Sequence, residues 1–195
     1  IYFERIKQLI KQNKQALILI PEIFLTTQFK NRFKLFFGYE PAIWHSKIGI
    51  GKKKKIWNSV AQNKIKIIIG ARSSLFLPFK NLGLIIVDEE HDPSYKQEES
   101  VIYNARDMAI SRASIENIPI NLITAVPSLE TYNNIKNKKY SKTELKKRFK
   151  NFPLPKTKII NLNLEKINKN SISSETIEIV KKYLKKNNQI LFFLN

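Results

Sequence analysis

Short, nearly continuous apolar runs alternate along this chain with longer segments in which apolar residues recur every three or four positions. The runs are residues 16–20 (ALILI), 65–69 (IKIII), 82–87 (LGLIIV), 120–124 (INLIT) and 189–194 (QILFFL). Their β-branched and aliphatic character predicts strands covered on both faces. Between them, residues 1–15, 26–36, 53–62, 104–117, 129–137 and 175–186 carry apolar stripes separated by Lys and predict amphipathic helices. Strand–helix–strand alternation predicts an α/β fold built on a parallel sheet. Pro153 and Pro155 break the pattern after Lys150, so a linker is expected there, and 161–174 is polar and irregular. The last helix and strand read as the opening of a second unit. No internal repeat is present.

Composition adds limits. The apolar fraction of 43% can build a core, and the chain of 195 residues suits one domain or one and part of another. With no cysteine, disulfides and thiolate metal sites are excluded from this stretch. No apolar run approaches the roughly 20 residues that span a bilayer, and the first residues lack a signal-peptide pattern. A cytoplasmic protein is expected. The chain opens without Met in what reads as mid-helix, the expectation for an interior piece of a longer protein. The formal charge is +19, from 29 Lys and 6 Arg against 16 acids. Lys, Ile and Asn excess is what an AT-rich genome yields unselected, so the charge is either drift or a nucleic-acid footprint; it attracts phosphate in both cases.

The chemistry concentrates at Asp88-Glu89-Glu90-His91, directly after the apolar run 82–87. Carboxylates there stand at the C-terminal end of a parallel strand, where open α/β sheets bind ligands. Such a pair suits nucleotide hydrolysis. Asp88 can hold magnesium through its water shell, and Glu89 can orient or deprotonate the attacking water. A plain acidic loop after a strand is the competing reading.

The surroundings of this box carry a resemblance. VDEEHDPSYKQEESVIYNARDMAISRA (87–113), LILIPEIFLTTQF (17–29), IIIGARSSLFLPFKNLG (67–83), ITAVPSLETYNNIKNKKY (123–140) and ILFFLN (190–195) follow in order and spacing the motifs II, Ia, Ib, III and IV of a known family. The chain resembles the primosomal protein N′ (PriA) family of bacterial replication-restart helicases over nearly its whole length. The resemblance implies a RecA-like first helicase lobe over 1–150, then a linker and the beginning of a second lobe over 151–195. It implies ATP and magnesium as cofactors and 3′-to-5′ unwinding of DNA in primosome assembly and restart of stalled forks. It implies as partners DNA forks and single strands, other primosome proteins and single-strand-binding proteins, with no membrane and a place beside the nucleoid. Asp88 would bind magnesium through water, Glu89 would be the base, and His91 would couple the nucleotide to Thr124, Ala125 and Pro127 of motif III. DNA contacts would come from Pro21, Glu22, Thr26 and Gln28, and from Arg72 and Ser73, with Ser73 alternatively a helix cap. The loop with Tyr95, Lys96, Gln97 and Tyr103 would sense single-stranded DNA by stacking and phosphate attraction; the two tyrosines alternatively pack under the next helix. Trp44 and Trp57 read as core, and Lys52–Lys55 as a solvated helix start.

The chain departs from the family's pattern. No G-x-x-x-x-G-K-[ST] occurs in it; the family's phosphate loop would precede residue 1, so these residues alone are expected to be inactive. Motif III reads Thr124-Ala125-Val126-Pro127, with Val126 where the family has a hydroxyl. The zinc-binding cysteines and arginine finger of the second lobe would follow Asn195. The alternative is a non-catalytic basic α/β module, binding DNA or a partner, left by a split or decaying helicase gene. Another motor of the same superfamily is a further alternative, but it would lack the SYKQEE loop beside the acidic box.

Overall fold

In the computed structural model, residues 2–21, 26–146, 153–161 and 172–193 are described. The chain divides into two compact units, Ile1–Lys142 and Thr143–Asn195. The first contains α1 (Phe3–Lys11), β1 (Gln15–Leu19), α2 (Thr27–Phe37), β2 (Ala42–Trp44), α3 (Ile50–Ala61), β3 (Ile67–Gly70), a 3-10 turn (Arg72–Phe76) and β4 (Leu82–Asp88). A second 3-10 turn (Pro93–Tyr95), β5 (Lys96–Gln97), β6 (Tyr103–Asn104), α4 (Ala105–Ile115), β7 (Ile120–Ile123) and α5 (Leu129–Lys136) complete it.

Five strands form a sheet in the order β2-β3-β1-β4-β7, and every pairing is parallel. Strand β1 is central, with Leu17 beside Ile68 and Ile85. Alternation divides its apolar residues between the two faces. Leu17, Leu19, Ile68, Ile85 and Val87 pack with Ile56 and Val60 of α3 and Ala105, Ala109 and Ala113 of α4. Ala16, Ile18, Ile67, Ile69, Leu84 and Ile86 pack with Ile6 of α1 and Phe33 of α2. Burying each such Leu, Ile or Phe contributes about 1.5–3 kcal/mol. On the second face Phe3 meets Phe29, Phe33 and Phe37 edge-on, so α1 and α2 are held together by rings.

Local signals explain the ends of these elements. Thr26 caps α2 by accepting from the Phe29 amide at 3.2 Å, and Gly38 closes it at φ +81, the left-handed geometry glycine allows. Gly70 ends β3 where a Cβ would come within 2.6 Å of the Trp44 carbonyl oxygen and the Ser74 Cβ, so only glycine lets the chain turn there. At the opposite, N-terminal edge of the sheet, Gln15 is fully buried. Its amide donates to the Val60 and Ile65 carbonyls at 3.0 and 2.8 Å and accepts from the Asn81 amide at 3.0 Å.

Four strands of the sheet and all six helices lie where the apolar pattern predicts them, with ends displaced by up to a few residues. Three findings differ. Strand β2, only three residues long after Pro41, was not expected; it exists because β3 offers it a parallel edge. Residues 96–97 and 103–104 pair antiparallel as a small hairpin instead of a loop. The expected strand 189–194 does not form over described residues 189–193; a strand needs a ladder partner, none is paired to it, and Leu191 is 91% exposed. Leu194 lies outside the described residues. The Trp pair also splits: Trp44 is buried, whereas Trp57 is 44% exposed and meets Trp44 at 6.3 Å between ring centroids.

In the second unit, helix α6 (Ser174–Leu184) begins at Ser173, whose hydroxyl accepts from the Thr176 amide at 3.1 Å. Lys158 pairs with Glu175 in its first turn.

Candidate active site

Asp88 is the last residue of β4, and a sharp turn follows. Glu89 takes φ +50, an uncommon conformation for a non-glycine residue, and the Asp92 amide donates back to the Glu89 carbonyl at 2.8 Å. The left-handed step sends Glu89 and Glu90 to different surroundings: Glu89 is part-exposed, while Glu90 is buried.

Both carboxylate oxygens of Asp88 have donors. The Tyr2 hydroxyl donates to Oδ2 at 2.8 Å and the Glu89 amide to Oδ1 at 3.2 Å. Burial, then the Asp88 charge and this hydrogen bond, push the Tyr2 phenol far above its ordinary value, so it stays a donor. The Asp88 carbonyl accepts from the Tyr95 hydroxyl at 2.6 Å, and the Leu19 carbonyl lies 3.0 Å from the same hydroxyl. A single carboxylate fits magnesium, which keeps several of its waters and takes one or two protein carboxylates. Among the described residues no group of three or more His, Cys, Asp or Glu side chains could hold a metal.

His91 meets motif III. Its Nδ1 lies 2.6 Å from Thr124 Oγ1 and 3.6 Å from Glu89 Oε2. The Thr124 hydroxyl donates to the Val126 carbonyl at 2.7 Å and accepts from the Val126 amide at 3.1 Å. Which of His91 Nδ1 and Thr124 Oγ1 donates depends on the imidazole tautomer. Thr124 thus folds the motif III loop on itself even with valine at 126. Ala125 and Pro127 are exposed on that loop.

Of the sequence-predicted DNA residues, Pro21, Arg72 and Tyr95 line a neighbouring hollow of about 290 Å³ at the ends of β1 and β3, together with Ile20, Ser46, Ala71 and Ser94. Pro21 is buried and contributes a wall. Arg72 donates to the Lys96 carbonyl at 2.6 Å, which ties motif Ib to the hairpin. Ser73 does not cap: the 3-10 turn begins from Ala71 with no side-chain cap, and Ser73 Oγ accepts instead from the Trp44 indole at 3.2 Å. Thr26 and Gln28 are exposed at the start of α2. Glu22 lies outside the described residues.

The hairpin corrects the stacking expectation. Tyr95 is 1% exposed, its ring in the core and its hydroxyl on β1 and β4, so it has no face to offer a base. Tyr103 is half-buried against Phe76, with ring centroids 5.6 Å apart. The Gln97 amide donates to the Glu99 and Val101 carbonyls, both at 3.1 Å, and holds the hairpin's tip. Lys96 is exposed and paired with Glu98 at 2.9 Å.

Five residues that matter to this geometry were not singled out in the sequence: Tyr2, Glu90, Arg106, Ser128 and Thr131. Arg106 had a signal. In a chain that uses Lys nearly five times as often as Arg, a retained guanidinium suggests a place where one cation must meet several acceptors. Arg72, Arg106 and Arg112 all do so or bridge distant segments.

The family model for DEAD/DEAH box helicases matches residues 1–135, and the chain belongs to that family. The parallel five-stranded sheet flanked by helices is a RecA-like helicase lobe, and such domains work in general on a nucleotide with magnesium. The chain is similar to Replication restart protein PriA of Rickettsia conorii at 49% identity, covering all of this chain and 30% of that protein. Proteins of the same name from Haemophilus influenzae and Bacillus subtilis are 43% and 38% identical, again over the whole chain and over 27% and 24% of theirs. The chain therefore spans about a third or less of the length of these relatives. No helix among the described residues is long and apolar enough to cross a membrane.

Proposed function

We propose that these residues are most of the first motor lobe of an ATP-dependent 3′-to-5′ DNA helicase that assembles the primosome and restarts stalled replication forks. Residues 151–195 would lead into the second lobe. The observation that carries the reading is the meeting of the acidic turn with motif III, His91 Nδ1 on Thr124 Oγ1 at 2.6 Å, in a chain whose relatives are replication restart proteins over its whole length. Magnesium, when bound beside Asp88, would neutralise charge on the phosphates. Glu89 orients the attacking water and takes its proton, and His91 passes the state of the nucleotide to the Thr124 loop. Tyr2 holds Asp88 Oδ2 in place as an uncharged donor.

Single-stranded DNA would lie along the hollow beside Arg72, with its phosphates met by Arg72, Lys96 and the exposed start of α2. Partners would be forked and single-stranded DNA, with primosome and single-strand-binding proteins, in the cytoplasm beside the nucleoid. The present 195 residues include no lysine-bearing phosphate loop, so alone they should not turn over ATP.

The test is ATP hydrolysis by the full-length protein with and without single-stranded DNA, and strand separation on substrates with 3′ or 5′ tails. Hydrolysis that needs DNA, disappears in Asp88→Asn and drives unwinding from one tail polarity is expected. Hydrolysis that survives Asp88→Asn would overturn the reading.

A further inference from the structure

Glu90 belongs to the acidic turn but, unlike Glu89, is buried. Its side chain is 0% exposed and accepts from the Ser128 amide at 2.7 Å, the Ser128 hydroxyl at 3.0 Å, the Thr131 hydroxyl at 3.0 Å and Arg106 Nη1 at 3.2 Å. One of these bonds falls on Oε1 and three on Oε2, so both oxygens of the buried carboxylate are met by donors. The donors come from the first turns of α4 and α5, where the helix dipole also favours an anion. Arg106 is itself 8% exposed and gives a second hydrogen bond to Ser128 Oγ at 2.7 Å.

The main chain of Glu90 makes a further contact: its amide donates to the Ile123 carbonyl at 3.1 Å. Ile123 is the last residue of β7 and Ser128 caps α5. One residue therefore grips both ends of the segment 124–127, which presents Thr124 to His91. Its sequence neighbours are Glu89 and His91. Arg106 arrives two residues after the hairpin strand Tyr103–Asn104, so the hairpin ends at the same clamp.

We propose that Glu90 and Arg106 are positioning residues that set the distance between the acidic turn and motif III, and through it the placement of Glu89 and His91 for hydrolysis. This rests on the hydrolytic reading of Asp88 and Glu89. A clamp of this kind acts on turnover and leaves nucleotide affinity nearly alone, because Glu90, Arg106 and Thr131 are buried and spend their polar groups on one another and on Ser128.

The experiment compares Glu90→Gln, Arg106→Lys and Thr131→Val in the full-length protein, measuring kcat per folded molecule and ATP affinity, with Asp88→Asn as control. Glu90→Gln should lower kcat by about 10- to 100-fold, the range typical of groups that orient a catalytic group from behind, with ATP affinity little changed. Arg106→Lys should fall less far, since an ammonium keeps the charge beside Glu90 and loses only the bond that the guanidinium Nε makes to Asp107. Thr131→Val, which removes one neutral donor, should fall least. A purely structural role would lower thermal stability while kcat per folded molecule stayed put, and that result overturns the proposal. If Glu90→Gln does not fold, the same criterion applies to the other two: unchanged kcat in both overturns it. Turnover that persists in Asp88→Asn would instead overturn the hydrolytic reading, a separate outcome.

Discussion

The hydroxyl of Tyr95 lies 2.6 Å from the carbonyl oxygen of Asp88, the residue that ends β4, and 3.0 Å from that of Leu19, which ends β1. The hairpin is thereby fastened to the acidic strand end from below. Tyr95→Phe keeps the ring and removes only this link. It should lower unfolding free energy by about 0.5–1.5 kcal/mol, measured by urea denaturation, and lower basal ATP turnover with no loss of affinity for single-stranded DNA. If Tyr95 stacked on a base, the phenylalanine variant would leave stability and turnover unchanged.

Alkali should reveal the same tyrosine together with Tyr2. Burial first, then the Asp88 charge, raise both phenols above their ordinary value. A raised folded-state value means that stability is complete below about pH 10, where unfolded tyrosine is still protonated, and falls as pH rises further. Each group should contribute up to about 1.4 kcal/mol per pH unit to that slope. Stability measured between pH 9 and 11.5 should decline less steeply in Tyr2→Phe, and less steeply still in Tyr2→Phe with Tyr95→Phe. Equal slopes in all three proteins would mean that neither phenol is held.

Glu89 occupies φ +50, a region that costs an L-residue about 1–2 kcal/mol and glycine almost nothing. Glycine's extra freedom in the unfolded chain takes back about 0.4–1 kcal/mol. Glu89→Gly is therefore expected to abolish hydrolysis and yet raise unfolding free energy by up to about 1.6 kcal/mol. Glu89→Gln should abolish hydrolysis without that gain. Thermal unfolding of the two variants beside the parent separates them; a destabilised glycine variant would show that no strain is stored there.

Arg72 is expected to be poorly replaced by lysine. Its guanidinium donates to the Lys96 carbonyl and has further N–H groups for phosphate, whereas an ammonium is a single point charge. Arg72→Ala should weaken binding of single-stranded DNA and reduce the slope of log affinity against log salt by about 0.7; Arg72→Lys should restore the slope but not the affinity. Fluorescence anisotropy across a salt series reads both numbers, and full affinity in the lysine variant would count against the bridge.

The parts of this fold that were legible are those in which one face of each element is apolar. Runs such as 82–87 announce a strand covered on both sides, and the residues just past its end could be placed at the ligand edge. The acidic turn, Thr124 and Arg72 could be placed near that edge because their position follows from strand direction and motif order. What escaped depends on partners distant in the chain. Glu90 looks like its neighbours until α4 and α5 close over it, 16 and 38 residues later. Tyr2 gains its role from Asp88, 86 residues away. Tyr95 stayed open between stacking and packing because an aromatic beside a lysine looks the same in sequence whether its ring faces solvent or core. The run 189–194 shows the converse error: an apolar pattern states what a strand would bury and not whether a neighbouring strand is there to pair with it.

Gln15 closes the edge of the sheet remote from the site, its one buried amide joined to the end of α3, the approach to β3 and the approach to β4. The opposite edge is held by side chains that also face the hollow and the acidic turn. Fluctuations that partly open the sheet should therefore begin at the working edge and stop short of Gln15. In native-state amide exchange, backbone protons in the first halves of β1 and β4 should outlast those around Asp88 and Gly70. The lobe would behave as a hinge pinned at one end, able to breathe where ligands bind without the strands losing register.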